Sequence, residues 1–120
     1  QDWEFIRKGL EQIQAKSDTL DWIPEDVYML LKQDVLHGLV WDGCGFILFR
    51  DITNPYTQER GVFVFAAYSF NPREGMAAWL EFEDLAKGSA KTFIEMDSTR
   101  TGWGKHSGWK AQRTIYRKEV

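Results

Sequence analysis

The sequence predicts a mixed α+β (α/β) fold organised around one parallel strand–helix–strand unit. Three observations predict it. Gly61 to Phe70 is a near-continuous apolar run, as expected of a strand covered on both faces. Asn71-Pro72 ends that run, and a helical pattern follows until Gly88. Lys91 to Asp97 then returns to a short, apolar, strand-like pattern. Elements joined this closely form a parallel pair with a right-handed crossover, and such units bind ligands beyond the strand C-termini. A site is therefore expected around Phe70 to Ala77.

The remaining elements follow in chain order. Asp2 to about Lys16 is amphipathic, with Trp3, Ile6, Leu10, Ile13 and Ser17 at helical spacing. A polar break from Ser17 to Trp22 follows. Ile23-Pro24-Glu25-Asp26 opens a second helix, with Pro in the first turn and acids where the dipole favours them. Its expected buried stripe is Val27, Leu30, Leu31 and Val35, and its expected end is His37-Gly38. Leu39 to Trp41 and Cys44 to Ile52 flank Asp42-Gly43, a two-residue hairpin signal of type I′. Thr53 to Arg60 reads as a loop with a turn at Asn54-Pro55. In the crossover helix, Met76, Trp79, Leu80 and Leu85 share helical spacing, as do Ala78, Phe82 and Ala86. Thr99 to Gly108 is irregular, and Trp109 to Val120 recovers enough alternation for a final strand.

Composition narrows the function. The chain has 120 residues, is 43% hydrophobic and contains 6 Trp, which suits one domain with a bulky core. Its net charge of -3 argues against a general nucleic-acid binder. Charge is uneven: residues 1–60 hold 6 Lys/Arg against 11 Asp/Glu, residues 61–120 hold 9 against 7. The basic tail from Arg100 onward suits one anionic ligand. The single Cys44 has no internal partner, which fits a reducing, cytoplasmic setting and a structural rather than nucleophilic role. No apolar run has membrane-spanning length, so no membrane partner is expected. The chain starts at Gln1, which leaves room for a preceding strand.

Individual chemical signals are weak. His37 and His106 lack metal-ligand company, so no metal is expected. Gly102 to Ser107 lacks phosphate-loop spacing. Trp103 and Trp109, within or beside a Gly-rich stretch, are candidates to line a pocket or meet a partner.

The element order resembles the GNAT family, the Gcn5-related N-acetyltransferases. In that family the strand–helix turn follows the pattern Q/R-x-x-G-x-G/A. Here Pro72-Arg73-Glu74-Gly75-Met76-Ala77 keeps Gly75 and the small Ala77, while Pro72 replaces Gln or Arg. Gly108-Trp109 and Tyr116 stand where the family has a Gly-aromatic pair and a Tyr on the last strand. That ending looks most like small GNAT-like proteins of tailed bacteriophages. The resemblance implies an N-acyltransferase that uses acetyl-coenzyme A as co-substrate. Gly75, Met76, Ala77 and Arg73 would hold the pyrophosphate, through amides, helix dipole and guanidinium. Ala67 and Ser69 would meet the pantetheine where neighbouring strands splay apart. The family's catalytic Tyr has no counterpart between Asp97 and Ile115. Asp97, Ser98 and Tyr116 are the remaining catalytic candidates, although Asp97 also reads as a turn residue and Tyr116 as sheet packing. Asn71-Pro72-Arg73-Glu74 equally reads as an ordinary helix cap. The alternative to transfer is thus a GNAT-shaped module that grips a protein partner, such as a phage factor acting on a host protein. The acceptor, whether protein lysine, terminus or small amine, is not legible.

Overall fold

A computed structural model describes residues 2–16, 22–97, 109–110, 112 and 116–119. The elements are α1 (Trp3–Ala15), α2 (Pro24–Lys32), β1 (His37–Trp41), β2 (Gly45–Thr53), β3 (Arg60–Ser69), α3 (Pro72–Gly88) and β4 (Phe93–Met96). The strands form one sheet in the order β1-β2-β3-β4, antiparallel except for the parallel β3–β4 pair. This is the mixed, GNAT-like α+β architecture expected, with α3 as the crossover.

The sheet is covered on two faces. On one, Ile6 and Leu10 of α1 and Val27 of α2 meet Phe46, Leu48 and Ala66. On the other, Phe82 and Ala86 of α3 meet Ile47, Val62 and Val64. Phe46, Leu10, Leu48 and Val27 are the largest fully buried side chains. Gly9 lets α1 approach closely, because a methyl there would overlap the Phe46 ring. Arg7 ties α1 to α2 through Glu25 at 2.9 Å, and that carboxylate raises the already high guanidinium pKa. The pair is exposed, so it adds little stability.

Several expectations are corrected. The second helix stops at Lys32, not at His37-Gly38, which instead open β1. Asp34 takes a left-handed φ of 58°. The Asp34 N–H then donates to Leu31 O and the Val35 N–H to Leu30 O, closing a Schellman end. Val35 is consequently 46% exposed, and Leu36 is buried in its place. The hairpin connection spans Asp42, Gly43 and Cys44, with Trp41 paired to Gly45 and positive φ only at Gly43. The type I′ expectation therefore fails. In α3 Phe82 and Ala86 turn to the sheet, with Trp79 beside them and Ala78 half-buried. Met76, Leu80 and Leu85 are 59%, 54% and 50% exposed. Small residues flanking Phe82 let the helix sit close to the strands. Gly88 closes α3, but Ala90 takes the left-handed turn (φ 62°), with Lys91 N–H donating to Ala86 O.

The final strand expected over Trp109 to Val120 is not formed by Trp109, Lys110, Gln112 or 116–119, which lie outside strand. The rest of that stretch, and residues 98–108, lie outside the described residues.

Candidate functional site

β3 is the element that shapes the site. Its register with β2 shifts between Leu48, opposite Ala66, and Phe49, opposite Val64. Phe65 is thus an extra residue, a β-bulge. Bulges bend a strand and re-aim the side chains beyond them. Before the bulge, Val62 and Val64 face α3; beyond it, Ala66 and Tyr68 pack toward α1. Without the extra residue, strict alternation would send Ala66 and Tyr68 to the α3 side.

β3 also outruns its parallel neighbour. The β3–β4 register ends at Val64 opposite Met96. From Phe65 to Ser69, β3 still pairs with β2, but no described strand pairs with its other edge. Ala67 is exposed in this stretch and Ser69 half-buried. Ending the β3–β4 register at Val64 leaves a gap in the described strand pairing, and exposed Asp97 follows directly after Met96 at its mouth.

The strand-to-helix turn is closed by short bonds. Phe70 N–H donates to Cys44 O at 2.6 Å. The Ser69 hydroxyl donates to Asn71 O at 2.6 Å and accepts from Asn71 N–H at 3.2 Å. Asn71 caps α3, its Oδ1 accepting from Arg73 N–H at 3.2 Å. Asn71 O accepts from Glu74 and Gly75 N–H at 3.1 and 2.9 Å. Met76 and Ala77 stand inside the helix, where amides bond back to carbonyls four residues earlier. A backbone cradle of open amides is therefore not what this turn offers. Gly75 has a packing reason instead: a Cβ there would lie 2.6 Å from Ser69 Oγ and 2.9 Å from Ser69 Cβ. Arg73 is exposed in the first turn, with Glu74 beside it.

The sequence candidates are only partly brought together. Ala67, Ser69, Arg73, Gly75, Met76 and Ala77 lie along one path from the β3 edge onto α3. Asp97 stands across the gap. Ser98 lies outside the described residues. Tyr116 is 89% exposed and outside strand, so neither proton transfer at the gap nor sheet packing is supported by its surroundings. Trp103 lies outside the described residues, whereas Trp109 stacks 5.9 Å from Trp79. Trp109 also lines a cavity of about 330 Å³ with Glu83, Lys87, Lys91 and Phe93.

Sequence reasoning missed the bulge and a second cavity. Broken alternation at Val64-Phe65-Ala66-Ala67 is the signal that was available for the bulge. The second cavity, about 320 Å³, lies between the β1–β2 connection and α3 and is lined by Trp41, Asp42, Cys44, Glu74, Ala77, Ala78 and Glu81. Trp41 Nε1–H donates to Glu81 Oε2 at 2.7 Å across it. Nothing in the sequence spacing brings residues 40 positions apart together.

No family model matches the sequence, and no curated protein does. Solved structures match the fold over nearly the whole chain. A ribosomal-protein-alanine N-acetyltransferase from Brucella melitensis biovar Abortus 2308 has a TM-score of 0.70 at 17% identity, covering 99% of this chain and 92% of its own. An acetyltransferase from Trypanosoma brucei has a TM-score of 0.63 at 9% identity, covering 100% and 96%. An aminoglycoside acetyltransferase from an uncultured soil metagenomic sample, solved with sisomicin, has a TM-score of 0.61 at 9% identity, covering 98% and 87%. At such identities the likeness establishes the fold and leaves the chemistry to the residues.

Proposed function

We propose that this chain binds a coenzyme A thioester along the edge of β3 that no described strand pairs and transfers its acyl group to an amine. The observation that carries the reading is the five-residue extension of β3, Phe65 to Ser69, beyond its last pair with β4. An extended polar chain such as pantetheine satisfies a free strand edge as another strand would. The acetyltransferase fold of the solved neighbours supports it. Ala67 and Ser69 stand beside this edge, and exposed Arg73 is the group that meets phosphate. The fit is good for the pantetheine arm and limited for the pyrophosphate, because the first-turn amides already have acceptors. Gly75, Met76 and Ala77 would contribute the helix dipole rather than open N–H groups.

The thioester supplies an activated carbonyl carbon. The chain's part is to hold it, exclude water and receive the proton released as the amine nitrogen bonds to that carbon. Asp97 is the carboxylate at the mouth of the gap and is assigned to that proton, directly or through one water. The departing thiolate is reprotonated from solvent, since no described Tyr stands at the gap. The acceptor is assigned only as an amine.

The closed first turn favours a second reading, a GNAT-shaped module that binds a protein without transfer. Titration calorimetry with coenzyme A separates the two. Saturable binding that weakens in Arg73→Gln supports the first reading. No heat at millimolar coenzyme A supports the second. A ligand at 100 times its dissociation constant also adds about 2.7 kcal/mol of stability, readable as a thermal shift.

A further inference from the structure

The face of the sheet that carries α1 and α2 borders the gap with an aromatic pair. Phe65, the bulge residue, is the first β3 residue beyond the pairing with β4, and it packs on that face rather than against α3. The Trp22 ring lies 5.5 Å from the Phe65 ring, tilted by 49°. The Gln14 side-chain amide donates to Trp22 O at 2.5 Å, which fixes Trp22 to α1. Both rings are only half-buried, so each keeps surface that an apolar group can cover.

Opposite charges bracket the pair. Ile94 and Met96 pack on the α3 side of the sheet. Alternation continued by one residue brings Asp97 to the α1–α2 side, next in count opposite Phe65. At the other end, Lys16 Nζ stands 5.7 Å over the Tyr68 ring. Tyr68 lies three residues beyond Phe65, roughly 10 Å along an extended strand. The shelf thus runs from a carboxylate, over aromatic rings, to a cation. The coenzyme path leaves the gap in the other direction, past Ser69 onto α3. We infer that this shelf selects the acceptor, a primary amine with one ammonium group and an apolar aryl or alkyl body. Its amine end meets Asp97, and its body lies over Trp22 and Phe65. Lys16 opposes a second ammonium at the far end, which disfavours polyamines. The inference rests on the acyl-transfer reading above and narrows its acceptor.

Chemical-shift mapping of the full chain tests it, with phenethylamine and spermidine as probes, alone and with coenzyme A. Phenethylamine should shift the Trp22 indole N–H and the Phe65 amide and saturate. Spermidine should bind there about tenfold more weakly or worse. Trp22→Ala should weaken phenethylamine about tenfold, and calorimetry should show its coenzyme A binding unchanged. Lys16→Glu, at an exposed position that leaves the core intact, should bring spermidine level with phenethylamine. Circular dichroism checks that both variants fold. Silence at Trp22 and Phe65, wild-type spermidine binding as tight as phenethylamine, or an unchanged preference in Lys16→Glu overturns the acceptor assignment and leaves the thioester site standing. So does a folded Trp22→Ala that binds phenethylamine as the wild type does. Amine binding by a chain that takes no coenzyme A overturns the acyl-transfer reading and this assignment with it.

Discussion

Replacing Gly75 by Ala sets two measurable terms against each other. Alanine is favoured over glycine inside a helix by about 1 kcal/mol. Opposing this, the new methyl would stand 2.9 Å from Ser69 Cβ, where carbon atoms ordinarily rest at about 3.5–4.0 Å. Ser69 cannot simply rotate away. Its Cβ is fixed by the strand, and its hydroxyl both donates to and accepts from the Asn71 backbone. Overpacking of this kind costs typically about 1–3 kcal/mol. Loss of the Ser69 bonds adds about 1 kcal/mol. Gly75→Ala should therefore destabilise the wild type by about 1–3 kcal/mol. In a Ser69→Gly background the obstruction is gone, and the same change should stabilise by up to about 1 kcal/mol. The coupling between the sites is then about 2–4 kcal/mol, at the upper end of what contacting residues show. Urea midpoints at unchanged slope measure all four corners of the cycle. A stabilised Gly75→Ala single variant, or coupling near zero, would refute the packing account of Gly75.

Further outcomes follow from the same geometry. Gly9→Ala should destabilise by about 1–3 kcal/mol or more, since its methyl overlaps the Phe46 ring, and urea unfolding reads the loss. Leu48→Ala, at a fully buried position between α1 and the sheet, should cost about 2–5 kcal/mol by the same measurement. Asn71→Ala should cost about 1 kcal/mol as a lost cap. By freeing the Arg73 N–H for an anion it should also tighten coenzyme A binding relative to wild type, which calorimetry reads. Deleting Phe65 should remove the bulge, and hydrogen exchange should then show Ala66 to Ser69 deprotected as their side chains change faces.

Much of the fold was legible because its signals are local. The β3–α3–β4 crossover stands on an apolar run, an Asn-Pro break and a helical stripe, and all three appear where the sequence put them. The helix ends were less legible. Asp34 and Ala90 take left-handed φ where glycine was the expected marker, because a Schellman closure and its carbonyl partners stabilise the turn. In α3 two overlapping stripes were available. The sheet accepts only one, and the choice depends on tertiary fit of Phe82 between small neighbours. The site divided similarly. Residues on the path from Ala67 to Ala77 are contiguous in sequence and came together. Asp97 was placed by the parallel register of β4, and the bulge in β3 depends on pairing with β2. The acidic cavity joins Trp41 to Glu81, a contact that exists only after the sheet has formed.

Amide chemical-shift mapping during titration with coenzyme A tests the central assignment most directly. Phe65 to Ser69 and Arg73 should shift together and saturate, while residues 54–59, the β2–β3 loop at the other end of β3, stay unmoved. Silence along the β3 edge at saturating ligand, or shifts confined to another surface, would contradict it.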